Sequence, residues 1–514
     1  MKRLTLMLLV ALVLSDDLEA SSTRHTVIIS DLHFGVGKRG GDGWLPTEDF
    51  RWTADLNAFL DQLSVETGNS VDLVIAGDLF ELWQPLVKDD CEQPNHNLGC
   101  SESEAKLRIT RVLGEHRNDI DVLAGFAKRG SNRLEIVPGN HDSALFFADV
   151  QQAVIAAFGD AAPRVQIVTT GYWLSEDRKI VVEHGQQIGR DVNRFDRWPD
   201  PFLGPATAWR LQKTWGEQFV QSFYNQYEER YPLIDNIGDD GGIAYGLAAE
   251  GLRGIPMAAG KFLRFYLAGS SWAQFSASLG GAGDAPLEWD VERIRAEGDV
   301  FFYESIPTDD PLRPVAQAAY LDGTLGLTLS DLSAEEIRSI CDSRLALFEL
   351  QTAPDPHPPP TISRCSSTAG AGAGLQAIIG PAREKLVKDR AVELLKLLRE
   401  TKALTMPFDL YVYGHTHSAW GPKPIEVDSS WTFGAANCGA WQRIVTPPQL
   451  KQLECGRPAA DVLRSSLDRL PACYPLIWVK PYTAKPSAAL AYWVVANGNG
   501  SLAASCSWTA PACH

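Results

Sequence analysis

No two cysteines of this chain stand in Cys-x-x-Cys spacing, which removes the paired-thiol zinc ribbon from consideration. Positive charge is in short supply: 47 Lys and Arg face 64 Asp and Glu, a formal net charge of -17. A surface that tracks phosphates needs the opposite sign, so bulk nucleic-acid binding is excluded. The 43 glycines and 31 prolines are too few for a low-complexity chain. No internal repeat stands out, which argues against a solenoid. Long apolar runs are scarce as well. Residues 4–14 form one, too short to cross a bilayer comfortably. Residues 265–283 are uncharged but diluted by Gly and Ser. No transmembrane span is expected once the N-terminal segment is removed.

What is present is a globular chain of 514 residues, 45% hydrophobic, long enough for roughly two to four domain equivalents. Lys2 and Arg3 precede the first apolar run, and a small and acidic stretch follows it, the layout of a secretory signal peptide over residues 1–20. A periplasmic or secreted protein is expected. Nine cysteines agree with an oxidising compartment. Proximity suggests the pairs Cys91 with Cys100, Cys341 with Cys365, Cys455 with Cys473, and Cys506 with Cys513. Cys438 is then the odd thiol.

Five β-branched or apolar runs, at 26–30, 71–76, 134–137, 180–183 and 410–413, each stop at a polar cluster. An amphipathic stretch at 53–63 separates the first two, a βαβ pattern. In open α/β sheets ligands bind beyond the carboxyl ends of strands, so the five clusters should converge. They contain Asp31 and His33, Asp78, Asn140, His184, and His415 with His417. Carboxylate, amide oxygen and imidazole together suit borderline divalent metals such as zinc, manganese, iron or cobalt. Seven donors suffice for two ions that share one carboxylate. His25, His96, His116, His357 and His514 are read as ordinary surface or core imidazoles.

Between residues 201 and 380 the pattern changes. Trp209, Trp215, Phe219, Phe223 and Tyr227 recur near helical spacing, so a mostly helical insertion is expected, with Trp209, Trp215 and Trp272 in its core rather than in a substrate groove. The Pro- and Gly-rich residues 354–374 read as a linker. Residues 384–404 form an amphipathic helix that returns the chain to its core. The expected division is a first core part at 24–200, the insertion at 201–380, a second core part at 381–450 and a Cys-containing extension at 451–514.

As a set, Asp31-Leu32-His33, Gly77-Asp78, Gly139-Asn140-His141-Asp142, His184-Gly185 and Gly414-His415-Thr416-His417 resemble the five blocks of the calcineurin-like metallophosphoesterase superfamily. The resemblance covers about residues 24–200 and 384–445. It implies an α/β chain folded as a four-layer α/β/β/α sandwich, carrying two divalent metal ions and hydrolysing a phosphate ester or anhydride. Asp31, His33 and His417 would hold one ion, Asn140, His184 and His415 the other, and Asp78 would bridge them. His141 would face the substrate, with Asp142 orienting its ring.

Glu81 stands where purple acid phosphatases carry a ligand tyrosine, which disfavours that branch. The motif style is closer to the UDP-2,3-diacylglucosamine diphosphatase-like branch, from which an export signal and a far longer insertion set this chain apart. Arg190 and Arg194 could hold a non-scissile phosphate, or pair with neighbouring aspartates. Asn437-Cys438-Gly439-Ala440-Trp441 resembles a structural strand of the superfamily. A small-molecule or lipidic phosphate substrate is favoured. A nuclease or nucleotide phosphodiesterase, or a binding protein that kept the fold, remain the alternatives. The oligomeric state is left open.

Overall fold

Each of the five runs becomes a strand in a computed structural model of the chain, which describes residues 22–38, 43–84, 91, 98–188, 193–205, 208–237, 375–455, 457–506 and 508. They are β1 (His25–Ile29), β2 (Val71–Ala76), β4 (Arg133–Val137), β7 (Ile180–Val182) and β10 (Leu410–Tyr413). Residues 1–20 lie outside the described residues, as do 238–374, which include 265–283, Trp272, Cys341, Cys365 and the linker at 354–374. Among the described residues no helix is long and apolar enough to cross a membrane.

The chain is a mixed α/β fold. β1, β2, β4 and β5 (Val165–Ile167) pair in parallel. Parallel neighbours need a crossover, supplied here by α1 (Thr53–Glu66), by α2 (Glu102–Glu115) with α3 (Arg117–Ala127), and by α4 (Ala148–Ala157). A Ser101–Glu104 capping box starts α2 by satisfying two otherwise orphaned amides. On the far side of β1 the sheet continues antiparallel through β13 (Cys473–Val479), β14 (Ala488–Ala496) and β15 (Asn499–Ala503), giving seven strands. The C-terminal extension is therefore part of the central sheet. A second sheet has the order β11 (Trp420–Asp428), β12 (Trp431–Asn437), β10, β7, β6 (Trp173–Leu174), with β10 parallel to both of its neighbours.

Period-two alternation sorts the strand side chains into three apolar clusters. Val27, Ile29, Leu73, Ile75, Leu134 and Ile136 join Leu56, Phe59, Leu60 and Leu63 of α1. The opposite faces, Ile28, Val74, Ala76 and Val137, meet Ile180, Val182, Leu410 and Val412 of the second sheet. That sheet's other face, Val181, Tyr411, Phe433 and Ala435, meets Val387, Ala391, Leu394 and Leu398 of the 26-residue helix at Leu375–Glu400. Burying one such side chain fully stabilises by about 1.5–3 kcal/mol.

Three expectations need correction. The segment from 201 is not helical at once: β8 (Phe202–Leu203) and β9 (Arg210–Gln212) pair with β3 (Leu98–Ser101) in a small antiparallel sheet. Trp209 precedes β9, half exposed and stacked on Phe202 at 5.3 Å, rather than lying in a helix core. Among the described residues 201–237, α-helix is confined to α5 (Trp215–Phe219) and α6 (Asn225–Glu228), joined by a π-helical turn. Second, the returning helix starts at Leu375, inside what reads as the end of the insertion, and stops at Glu400; Lys402 turns with positive φ just beyond it.

Third, the disulfides are partly re-paired. Cys91–Cys100 forms as expected and Cys438 is free. Cys473, however, bonds Cys506, with Cα atoms 5.7 Å apart, which rules out Cys455 with Cys473 and Cys506 with Cys513. Cys455 is itself disulfide-bonded. The reason is topological: β14 runs between β13 and β15 and brings the start of β13 level with the end of the meander. Linear proximity has no access to that fold-back.

The long helix, α7 (Leu375–Glu400), is anchored by charge as well as by apolar contact. Arg390 of α7 donates to both carboxylate oxygens of Glu183, at 2.8 and 2.7 Å, and the Tyr411 hydroxyl donates to the same carboxylate. Arg390 and Glu183 are both buried. Arg390→Ala should destabilise the fold by about 3–5 kcal/mol, because Glu183 is left buried and unpaired. Adding Glu183→Gln should recover part of that loss. Denaturant unfolding of the two variants checks this, and an unchanged midpoint for Arg390→Ala would show that the pair holds nothing.

Candidate metal centre

The carboxyl ends of β1, β2, β4, β7 and β10 open towards one another. Past its last strand residue the chain after β1 keeps pairing with the loop after β2: Asp31, His33 and Phe34 donate backbone N–H to Gly77, Asp78 and Leu79 at 3.1, 3.0 and 2.8 Å. Gly414 N donates to the His184 carbonyl, and Trp441 N donates to the Ser30 carbonyl. Asp31, His33, Asp78, His415 and His417 all adopt positive φ, between 52° and 69°. For L-residues that region costs about 1–2 kcal/mol each, and such strain persists where surrounding bonds over-determine it.

Two donor groups result. In the first, Asp31 Oδ1 lies 3.4 Å from His417 Nε2 and 3.7 Å from His33 Nε2. In the second, His184 Nε2 lies 2.9 Å from Asp78 Oδ2, 2.9 Å from Asn140 Oδ1 and 3.2 Å from His415 Nδ1. Asp78 Oδ2 is also 3.9 Å from His33 Nε2, which places it between the groups. All seven sequence-predicted donors are thus brought together. Close packing makes this possible: a Cβ on Gly77 would lie 2.3 Å from His184 Nδ1, and one on Gly139 would lie 2.2 Å from Asp78 Oδ1.

Donor chemistry fits a cation. Asp31 Oδ1 and His33 Nε2 are buried with no hydrogen-bond partner, although each normally demands one. His184 Nδ1 donates to the Ala76 carbonyl at 2.8 Å, which assigns the proton to Nδ1 and leaves an Nε2 lone pair facing the other donors. These buried His and Asp groups could hold metal ions.

Burial alone would raise the Asp31 and Asp78 carboxyls, but the surrounding imidazoles outweigh it. They hold Asp31 well below its usual range and bring Asp78 down to about 2, with His184 the largest favourable influence on both. The converse acts on the rings. Burial would lower His184, but Asp78 and Asp31 push it up to about 9. Burial would likewise lower His33, yet the neighbouring Asp31, Glu81 and Asp78 carboxylates hold it well above its ordinary value.

Glu81 is the residue that motif reading passed over as a functional group. Its Oε2 accepts from His33 Nδ1 at 3.2 Å and from His141 Nδ1, and its Oε1 accepts from Trp83 N at 2.5 Å. One carboxylate therefore orients the ring of a candidate ligand and the ring expected to meet substrate. The available signal was its place three residues after Asp78, on the same strand-end loop. Asp142 takes a different part from the one expected: its carboxylate accepts from the backbone N–H of Gly139, Leu79 and Phe80, at 2.6, 2.9 and 3.3 Å. It ties the loops after β2 and β4 together and leaves the His141 ring to Glu81 and to Trp83, stacked at 3.8 Å.

Other residues hold the loops. Asn437 Nδ2 donates to the Gly414 carbonyl and Thr416 Oγ1, a structural role as expected. Fully buried His116 lies between Glu48 and Asp119, while Glu48 accepts from Gly35 and Gly37 N–H, which pins the turn after His33. His25 accepts from Trp478 Nε1 at the opposite end of β1. Arg194 is engaged by the Gln187 carbonyl and by Glu393 at 3.3 Å. Arg190 lies outside the described residues. No family model, no curated protein and no solved structure matches the chain.

These shifts define a pH window. The raised His184 contributes stability that is complete below its ordinary value near 6.5 and lost as pH rises through about 9. The depressed Asp78 contributes stability that is complete above its ordinary value near 3.8 and lost as pH falls through about 2. Chelator-treated protein should therefore lose thermal stability from pH 6.5 to 9. Divalent-metal affinity should rise over the same interval, because the imidazoles must shed protons to bind. Thermal melts and metal-binding isotherms across pH 5–10 check both slopes.

Proposed function

We propose that this protein is a metal-dependent phosphoesterase of the calcineurin-like kind, carrying two divalent ions and cleaving a phosphate ester or anhydride of a small or lipidic compound. The observation that carries the reading is the pair of adjoining donor groups with Asp78 between them. The three apolar clusters support the α/β/β/α layering that goes with it. The N-terminal apolar segment and the Cys91–Cys100 and Cys473–Cys506 bonds support an exported location.

On this reading Asp31, His33 and His417 hold one ion, Asn140, His184 and His415 the other, and Asp78 serves both. Such ions, when bound, supply Lewis acidity towards phosphoryl oxygens and a nucleophile at neutral pH. The chain does the rest. His141 is 17% exposed in its side chain, within reach of a bound ester. With Nδ1 committed to Glu81, its Nε2 is the atom left to hydrogen-bond a phosphoryl or leaving oxygen. Glu81 fixes the ring through Nδ1, and the stacked Trp83 indole limits its rotation.

Bis-p-nitrophenyl phosphate and p-nitrophenyl phosphate, offered to metal-stripped protein reloaded with Mn, Zn, Fe or Co, test the reading. Metal-restored turnover is expected. Asp78→Ala and His415→Ala should abolish it and lower bound metal, measured by elemental analysis. His141→Ala should reduce kcat by about 10²–10⁴-fold with metal content unchanged. Full activity in Asp78→Ala would sink the two-ion scheme, and no turnover with any metal would favour a binding protein.

A further inference from the structure

A second group of carboxylates shares no residue with the imidazole-bearing donor groups. Asp49, Glu228 and Asp235 each bring a ligand oxygen to within 4.8 Å of the others. They come from three separate places: the approach to α1, the last residue of α6 and the 3-10 turn Ile234–Asn236. Asp49 and Glu228 are 2% and 3% exposed. Glu228 Oε1 is buried in this group with no hydrogen-bond partner. Tyr224 hydrogen-bonds Asp235. No Lys, Arg or His forms an ion pair with any of the three among the described residues. Arg51, two residues from Asp49, commits its guanidinium to the Glu48 and Leu45 carbonyls, both at 2.9 Å.

Buried carboxylates this close repel unless protons or a cation intervene. Burial first, then the neighbouring carboxylates, pushes Asp49 and Glu228 well above the usual carboxyl range. The donors are oxygen only, the preference of hard cations, with none of the nitrogen that zinc, iron or cobalt favours. Calcium accepts several carboxylates from flexible segments, whereas magnesium normally takes one or two and keeps its waters. We propose that Asp49, Glu228 and Asp235 form a separate all-oxygen site for a calcium-type cation, which fastens residues 225–237 to the segment before α1. That segment includes Glu48, whose carboxylate pins the turn after His33, so the ion would brace the metal centre from outside.

The test uses the full chain after chelator treatment, with calcium alone as probe and magnesium as comparison. Calcium at about 100-fold above its dissociation constant should raise Tm by about 2–3 °C in the wild type. Glu228→Gln should lose that shift and His415→Ala should keep it. Should Glu228→Gln fail to fold, Asp235→Asn, at a half-buried position, serves instead, with calcium affinity at least tenfold weaker by titration calorimetry. Absence of a calcium response in the wild type overturns the proposal. So does a response lost in His415→Ala but kept in Glu228→Gln or Asp235→Asn, which would place the ion among the imidazoles.

Discussion

Asp31 and Asp78 bury two carboxylates where the ends of the two sheets meet, and among the described residues only histidines form ion pairs with them. A buried charge left uncompensated costs several kcal/mol, so the rest of the site is arranged around meeting that demand. Imidazoles must approach within about a hydrogen bond's length of the oxygens. The loops that carry them therefore turn through left-handed backbone, and Gly77 and Gly139 stand where any Cβ would collide with His184 or Asp78. Backbone N–H groups of His141 and His415 add two more bonds, to Asp78 Oδ1 and Asp31 Oδ2.

Precision in such a site depends on what holds the donors. Asp142 and Asn437 face the backbone of the donor loops, not the donors themselves, and act as braces. Glu81 is different because one oxygen serves two rings with different tasks, His33 and His141. Any change in the Glu81 side chain is therefore felt by both rings. The buried Glu48–His116–Asp119 chain extends the same logic outward, fixing the turn that follows His33.

The two donor sets divide by chemistry. Nitrogen-rich ligands gather where parallel strands end and loop backbones can run side by side. The oxygen-only set gathers where residues 225–237 fold back against the approach to α1. A nitrogen-rich set suits catalysis by borderline metals, and an oxygen set suits a structural ion, so the proposed activity and the proposed brace place no competing demand on the same cation.

How far each feature was legible follows from its range in the chain. Strand ends bearing Asp31, His33, Asp78, Asn140, His184, His415 and His417 were readable because each motif is local, an apolar run followed at once by its polar residues. Cys91 with Cys100 was readable for the same reason. The Cys473–Cys506 bond was not, since it depends on β14 folding back between β13 and β15. Nor was the double duty of Glu81, the backbone role of Asp142 or the gathering of Asp49, Glu228 and Asp235, because each is a contact between distant segments with no local pattern to announce it. The sequence by itself determined which side chains end which strands, through periodicity and turn chemistry. Only the tertiary structure decided which of them share a proton, a charge or a sulfur, because those pairings are set by the order of strands in two sheets.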